Sequence, residues 1–161
     1  MPVTTTYVQM LTHPCRPVSP PLAGITVRHV PQPTVEFYRQ IYDAVGGQWN
    51  WSSRKMLPDS ELARIIGDPL VEIHVLSVAD RQAGFAELDR RQPGEIELKQ
   101  FGLVAEFIGQ GLGKYFLQWV IDKAFSYEPK RFWLHTCTDD HPAALPNYLK
   151  AWFEVYDVRT T

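Results

Sequence analysis

A chain of 161 residues fits one domain with a short appendage, given the usual span of about 100 to 200 residues per domain. With 45% apolar and 21% charged residues it is neither disordered nor a collagen-like or disulfide scaffold, and 16 Lys+Arg against 18 Asp+Glu leave no basic footprint for nucleic acid or membrane. No apolar run reaches the roughly 18 residues of a spanning helix and no leader pattern opens the chain, so a cytoplasmic location is the default expectation.

Residues 1–24 hold five of the thirteen prolines (Pro2, Pro14, Pro17, Pro20, Pro21), a stretch that cannot build a helix and reads as an arm wrapping the surface. Within it, Thr4 to Met10 is β-branched and aromatic and is expected to add an edge strand to a sheet. The remainder, 25–161, reads as one alternating α and β unit. A strand at Ile25–Val30 stops at Pro31. Val35, Tyr38, Ile41, Tyr42 and Val45 then recur at helical steps until Gly46-Gly47, and a shorter helix opens at Pro58-Asp59-Ser60-Glu61 and stops at Gly67-Asp68-Pro69.

Three strand-like runs follow, 71–78, 83–88 and 95–103, whose short links imply an antiparallel meander. Leu112, Phe116, Leu117, Val120, Ile121 and Ala124 form a helical stripe, 131–136 reads as a buried strand, 141–153 as a helix and 154–160 as a last strand. The expected fold is mixed α/β. The antiparallel meander is followed by a strand parallel to its last member and splayed from it, so that the pair makes a cleft, with helices on both faces.

The most informative stretch is Gly109-Gln110-Gly111-Leu112-Gly113-Lys114, between a strand and an amphipathic helix. Glycines let backbone approach a ligand closely, while free N–H groups and the positive end of a helix dipole attract anionic oxygens. A P-loop needs glycine six residues before the lysine and Ser or Thr after it, where Ile108 and Tyr115 stand. A dinucleotide fingerprint needs a third glycine where Lys114 stands. Both nucleotide readings are disfavoured.

Here the sequence resembles the GNAT superfamily of acetyl-CoA-dependent N-acetyltransferases, whose pattern is a strand, R/Q-x-x-G-x-G/A, then a helix. The chain has Ile108-Gly109-Gln110-Gly111-Leu112-Gly113, with Ile108 in place of the first Arg or Gln and Ala105 where proline is common. A second block, Ala144 to Phe153, is similar to the family's A-x-x-x-Y-x-x-x-G-F stretch, with Tyr148 and Phe153 in place and Trp152 where glycine is usual. Trp49-x-Trp51-x-x-Arg54, Phe101-Gly102-Leu103 and the run from His135 to Pro142 resemble a subgroup with no assigned acceptor. The family usually closes with a seventh strand for which the chain leaves no room, and the N-terminal arm is available to substitute for it.

The resemblance implies acetyl-CoA as co-substrate, held by Phe101, Leu103, Gly109, Gln110, Gly111, Leu112, Gly113 and Lys114, with no metal. It implies acetyl transfer to a primary amine of a small molecule by direct attack, no nucleic-acid or membrane partner, and a homodimer as an allowed assembly. The alternative is a CoA-binding regulator without transferase activity, which Ile108 invites. Glu97 stands where some members keep a general base; a solvated sheet face is the competing reading, and Glu87 is the rival carboxylate, expected across from it. Tyr148 stands where many members keep a tyrosine that protonates the leaving thiolate, against a packed core tyrosine. His74, His135 and His141 are further proton relays by residue type. Cys137 has no histidine spaced to activate it, and with Cys15 it reads as a free thiol. Trp49, Trp51, Arg54, Glu87 and His135 are the expected acceptor contacts: the tryptophans as an apolar or cation–π wall, Arg54 as a clamp for a carboxylate on the amine. The competing reading makes the tryptophans a cap on the core.

Overall fold

The computed structural model describes residues 2–49 and 51–161; Met1 and Asn50 lie outside the described residues. The chain runs β1 (Thr4–Met10), β2 (Ile25–His29), α1 (Val35–Gly46), α2 (Asp59–Ile66), β3 (Val71–Val78), β4 (Arg81–Asp89), β5 (Glu95–Leu103), α3 (Leu112–Phe125), β6 (Arg131–Cys137), α4 (Ala144–Lys150) and β7 (Glu154–Thr160). All seven strands join one sheet in the order β2-β3-β4-β5-β6-β1-β7.

Local chemistry accounts for most boundaries. Thr34 caps α1, its Oγ1 accepting the Phe37 N–H at 3.0 Å. The β3–β4 hairpin turns on Ala79 and Asp80, both with positive φ (49° and 69°), the backbone of the primed turns that match strand twist. The expected helix over 141–153 is shorter, Ala144–Lys150. Its entrance is taken up by a turn in which His141 Nδ1 accepts the Ala143 N–H at 2.9 Å, and its exit by Trp152, whose φ of 80° is left-handed. That backbone explains why the similar motif carries glycine at this place. Trp152 is steadied by Arg16, whose guanidinium lies 4.6 Å from the ring centroid.

Alternation along the strands sends side chains to two cores. Ile73, Val75 and Phe85 face α1 and α2, packing on Tyr38, Ile41, Tyr42, Val45, Leu62 and Ile66. Leu76, Ala86, Leu88, Ile96 and Leu98 face the apolar stripe of α3, with Tyr148 and Phe153 beside it. Helices thus cover both faces of the sheet.

The segment Thr4–Met10 is a strand but not an edge one. It pairs antiparallel with β6 on one side and with β7 on the other, leaving β2 and β7 at the edges. Val8 and Met10, on one face of the strand, are buried in the larger core, which holds β1 over it between β6 and β7. From β1 the arm continues along α3, where His13 Nε2 lies 2.7 Å from Asp122 Oδ1, to Pro21, which rests against Gly111.

Candidate active site

The cleft begins where two parallel strands part. β5 and β6 are in register over Glu95↔Arg131, Ile96↔Phe132 and Glu97↔Trp133 and no further, although β5 runs to Leu103 and β6 to Cys137. On its other edge β5 carries a bulge: Leu88 pairs with Leu98 and Glu87 with Gln100, leaving Lys99 without a partner residue. A bulge bends its strand and re-aims side chains. The gap between β5 and β6 opens into a cleft of about 570 Å³, closed at one end by the glycine turn and at the other by the loops after α1 and β6.

At the glycine end, Gly109 and Gly111 have φ of 88° and 82°, the left-handed region that favours glycine. Gly111 caps α3, and the first backbone amide of the helix to return to a carbonyl is that of Tyr115, bonded to Gly111 at 3.3 Å. Among the described residues, no amide from Gly109 to Lys114 donates to a backbone oxygen outside its own helix or to a side chain. A run of open N–H groups at the positive end of a 14-residue helix is what an anionic oxygen group requires, so the residues present fit a pyrophosphate. Gly109, Gly111, Gly113 and Lys114 line the cleft, as do Phe101 and Leu103 on β5. Leu112 and Gln110 do not: Leu112, the first residue of α3, is buried in the larger core, and the exposed Gln110 side chain returns to the Glu106 carbonyl at 3.2 Å. Ile108 lines the cleft with an apolar side chain where the similar pattern has a hydrogen-bonding one.

Tyr148 reaches the middle of the cleft from α4. It is 6% exposed, makes no hydrogen bond to a described residue, and its pKa is pushed well up by burial, with the Asp140 charge adding to it. Glu97 sits opposite Asp89, not Glu87, which lies further along β4 opposite Gln100. Burial raises its carboxyl above the ordinary value although Lys99, 3.7 Å away, pulls the other way. Glu97 does not line the cleft, but His135 does, with Nε2 3.9 Å from the Glu97 carboxylate. Burial and Lys99 lower the His135 pKa, which favours the neutral ring. Burial raises the Cys137 thiol, so the thiolate that nucleophilic catalysis needs is disfavoured.

The far wall is Trp51, Trp49 and the turn after β6. The Trp51 ring lies so close to Gly46 that a Cβ there would meet it at 2.3 Å, and its Nε1 donates to Asp140 Oδ1 at 3.1 Å. Asp140 Oδ2 also accepts from Thr136 Oγ1 at 2.5 Å and the Cys137 N–H at 3.0 Å. One carboxylate therefore ties the α1–α2 loop to β6 across the cleft mouth. Trp49 packs edge-to-face on His141, centroids 4.8 Å apart.

Arg54 and Glu87 are brought together, but away from this wall. Arg54 Nη2 donates to Glu87 Oε2 at 2.5 Å, Tyr38 donates to Oε1 of the same carboxylate, and Arg54 and Glu87 are 6% and 0% exposed. Burial disfavours the guanidinium, yet the adjoining carboxylate outweighs this and holds it charged. The expectation that Arg54 clamps an acceptor carboxylate and that Glu87 contacts the acceptor is corrected: each is spent on the other, and neither lines the cleft. His74 is likewise remote, buried on Trp119 beneath α3 with Nε2 2.8 Å from Glu72. Sequence reasoning passed over Gln100, Ser53 and Asn147, all of which line the cleft, and the role of Asp140.

A family model described as the acetyltransferase (GNAT) family matches residues 35–151. The chain belongs to the GNAT acetyltransferase family. No curated protein sequence matches it. Among solved structures, a GCN5-related N-acetyltransferase from Sphaerobacter thermophilus shares 18% identity at a TM-score of 0.68, over 99% of this chain and 51% of that one. An aminoglycoside acetyltransferase from an uncultured soil metagenomic sample shares 9% at 0.64, over 80% and 88%. An IAA acetyltransferase from Bacillus cereus shares 15% at 0.62, over 83% and 79%. At these identities the likeness is one of fold. This GNAT chain spans between 50% and 62% of the length of five of the solved proteins it matches, the Sphaerobacter thermophilus one among them.

Proposed function

We propose that this GNAT chain transfers the acetyl group of acetyl-CoA to a primary amine of a small molecule by direct attack. The observation that carries the reading is the run of open amides from Gly109 to Lys114 at the head of a cleft whose middle holds an unpartnered, buried tyrosine. Bound acetyl-CoA supplies the activated acyl carbon. The backbone of the glycine turn holds the pyrophosphate, and β5, freed from β6 beyond Glu97, offers Phe101 and Leu103 along the pantetheine arm.

The amine must be neutral to attack. The C–N bond forms as the C–S bond breaks, and one proton leaves the amine nitrogen. His135, neutral and at the cleft surface, is placed to accept that proton, with Glu97 behind it to stabilise the imidazolium. Tyr148 faces the other product. Its pKa lies well above that of a thiol, so its phenol holds the developing thiolate by a hydrogen bond rather than surrendering its proton outright, and the thiolate is neutralised by the proton that the amine releases. Cys137 takes no acyl group in this scheme.

The test is thiol release from acetyl-CoA across a panel of primary amines, read beside CoA binding by calorimetry. Amine-dependent thiol release with matching amide product supports the reading. Tight CoA binding with no release for any amine replaces it with the CoA-binding regulator.

A further inference from the structure

The charges along the cleft are not symmetric. Lys114 and Lys150 line it at the glycine end, on the first turn of α3 and the last residue of α4, where phosphates would sit. At the opposite end, among the described residues, the only Lys or Arg lining it is Lys99, whose ammonium lies 3.7 Å from Glu97 and is answered by it. His135 is held toward its neutral form. Arg54 is turned away into its pair with Glu87. This end therefore offers no uncompensated cation to a carboxylate.

It offers the reverse. Asp139 lines the cleft, is exposed, and forms no ion pair among the described residues. The donors on Asp140, Trp51 Nε1, Thr136 Oγ1 and the Cys137 N–H, are all neutral, so its charge too goes uncompensated. A separate observation on β5 points the same way. Gln100 lines the cleft while 9% exposed; its Nε2 donates to Ser53 Oγ at 3.1 Å, and its Oε1 has no partner among the described residues. That Oε1 keeps an accessible surface while the rest of the side chain is buried, so it is free to accept an N–H from a ligand in the cleft. Trp49 and Trp51 add ring faces that attract ammonium groups.

Building on the acetyl-transfer reading, we infer that the acceptor is an amine carrying a second cationic group and no carboxylate, recognised by Asp139 and Asp140 with Gln100 Oε1 taking an N–H of the ligand. A free α-carboxylate at this end would face two carboxylates with no cation to offset them. The carboxylate-bearing amine that Arg54 suggested in the sequence is thereby replaced by a counterpart without the carboxylate.

The test compares 1,5-diaminopentane with lysine, which adds only an α-carboxylate, and with 1-aminopentane, which lacks the second charge. The diamine is expected to exceed both in kcat/KM by at least about tenfold. In Asp139→Asn that preference over 1-aminopentane should shrink at least about fivefold, and raising the salt concentration should narrow it in the same direction. Gln100→Leu should raise KM for the diamine with CoA affinity unchanged. Equilibrium binding of the three amines to the CoA-bound protein gives a readout free of turnover. If the diamine binds best there but no thiol is released, the recognition stands and the transferase reading falls. If lysine equals or exceeds the diamine in both assays, or none of the amines binds, the inference is overturned.

Discussion

The two ends of the cleft are built in different ways. The end proposed to hold the donor is contiguous: six consecutive residues, Gly109 to Lys114, supply its open amides, and their conformation follows from glycine at positive φ and the start of α3. The acceptor end is assembled from three separated segments, the loop carrying Trp49 and Trp51, β5 at Lys99–Gln100, and β6 with its following turn at His135–Asp140. A site made of backbone in one turn tolerates side-chain change, whereas a site made of side chains from distant segments depends on every contact that holds those segments together. Asp140, which hydrogen-bonds Trp51 across 89 residues, is such a contact.

The largest effect expected is at the junction of the two ends. Tyr148→Phe keeps the packing of a side chain 6% exposed and removes only its donor, so kcat should fall about 10²–10³-fold while CoA affinity holds. Single-turnover kinetics together with calorimetry check this, and an unchanged rate would return Tyr148 to the core. Next comes Arg54, which the sequence placed at the acceptor end and the structure removes from it. Arg54→Leu strands Glu87 as a buried carboxylate, at a cost of about 3–5 kcal/mol, or a fall in Tm of roughly 6–20 °C. If the variant remains folded at assay temperature, KM for the amine should be unmoved. A raised KM with little loss in Tm would restore Arg54 to the acceptor site.

A smaller effect tests the backbone character of the donor end. At Gly111 any side chain meets both a φ of 82° and Pro21 at 3.2 Å, so Gly111→Val should weaken CoA binding about 10- to 100-fold by calorimetry, while Gln110→Ala changes it less than about threefold. The reverse order would refute the cradle. The smallest effect expected is in pH dependence. Because burial raises Glu97, its carboxylate is lost as pH falls at a higher pH than for an exposed glutamate, so the rising limb of kcat/KM should lie above the ordinary glutamate range. Glu97→Gln should slow turnover most above that limb, where the parent carboxylate is ionised, and converge on the parent as pH falls and Glu97 takes up its proton. The apparent midpoint belongs to Glu97 and His135 jointly, and a pH profile of the variant alongside the parent measures it.

The meander, the α3 stripe and the glycine turn could be read from the chain because each depends on neighbours within one element: alternation at period two, apolar steps of three and four, and glycine where φ turns positive. Even Trp152 obeys this rule in reverse, since the place where glycine is usual proves to be left-handed. What local pattern could not supply was partnership. Thr4–Met10 carries the composition of a strand, but nothing in its seven residues says that β6 and β7 close on both its sides. The bulge at Lys99 likewise depends on how β4 and β5 align, as does the pairing of Glu97 with Asp89 rather than with Glu87.

The sequence by itself determined most of the elements, the family and the glycine turn, because these rest on interactions between residues a few positions apart, whose geometry the backbone dictates. Only the tertiary structure decided which charges meet. Arg54 and Glu87 stand 33 positions apart and neutralise each other in the core, whereas Asp139 and Asp140 line the cleft with no ion pair among the described residues. A charged side chain announces its type in the sequence, but its role follows from what compensates it, and that is settled by packing.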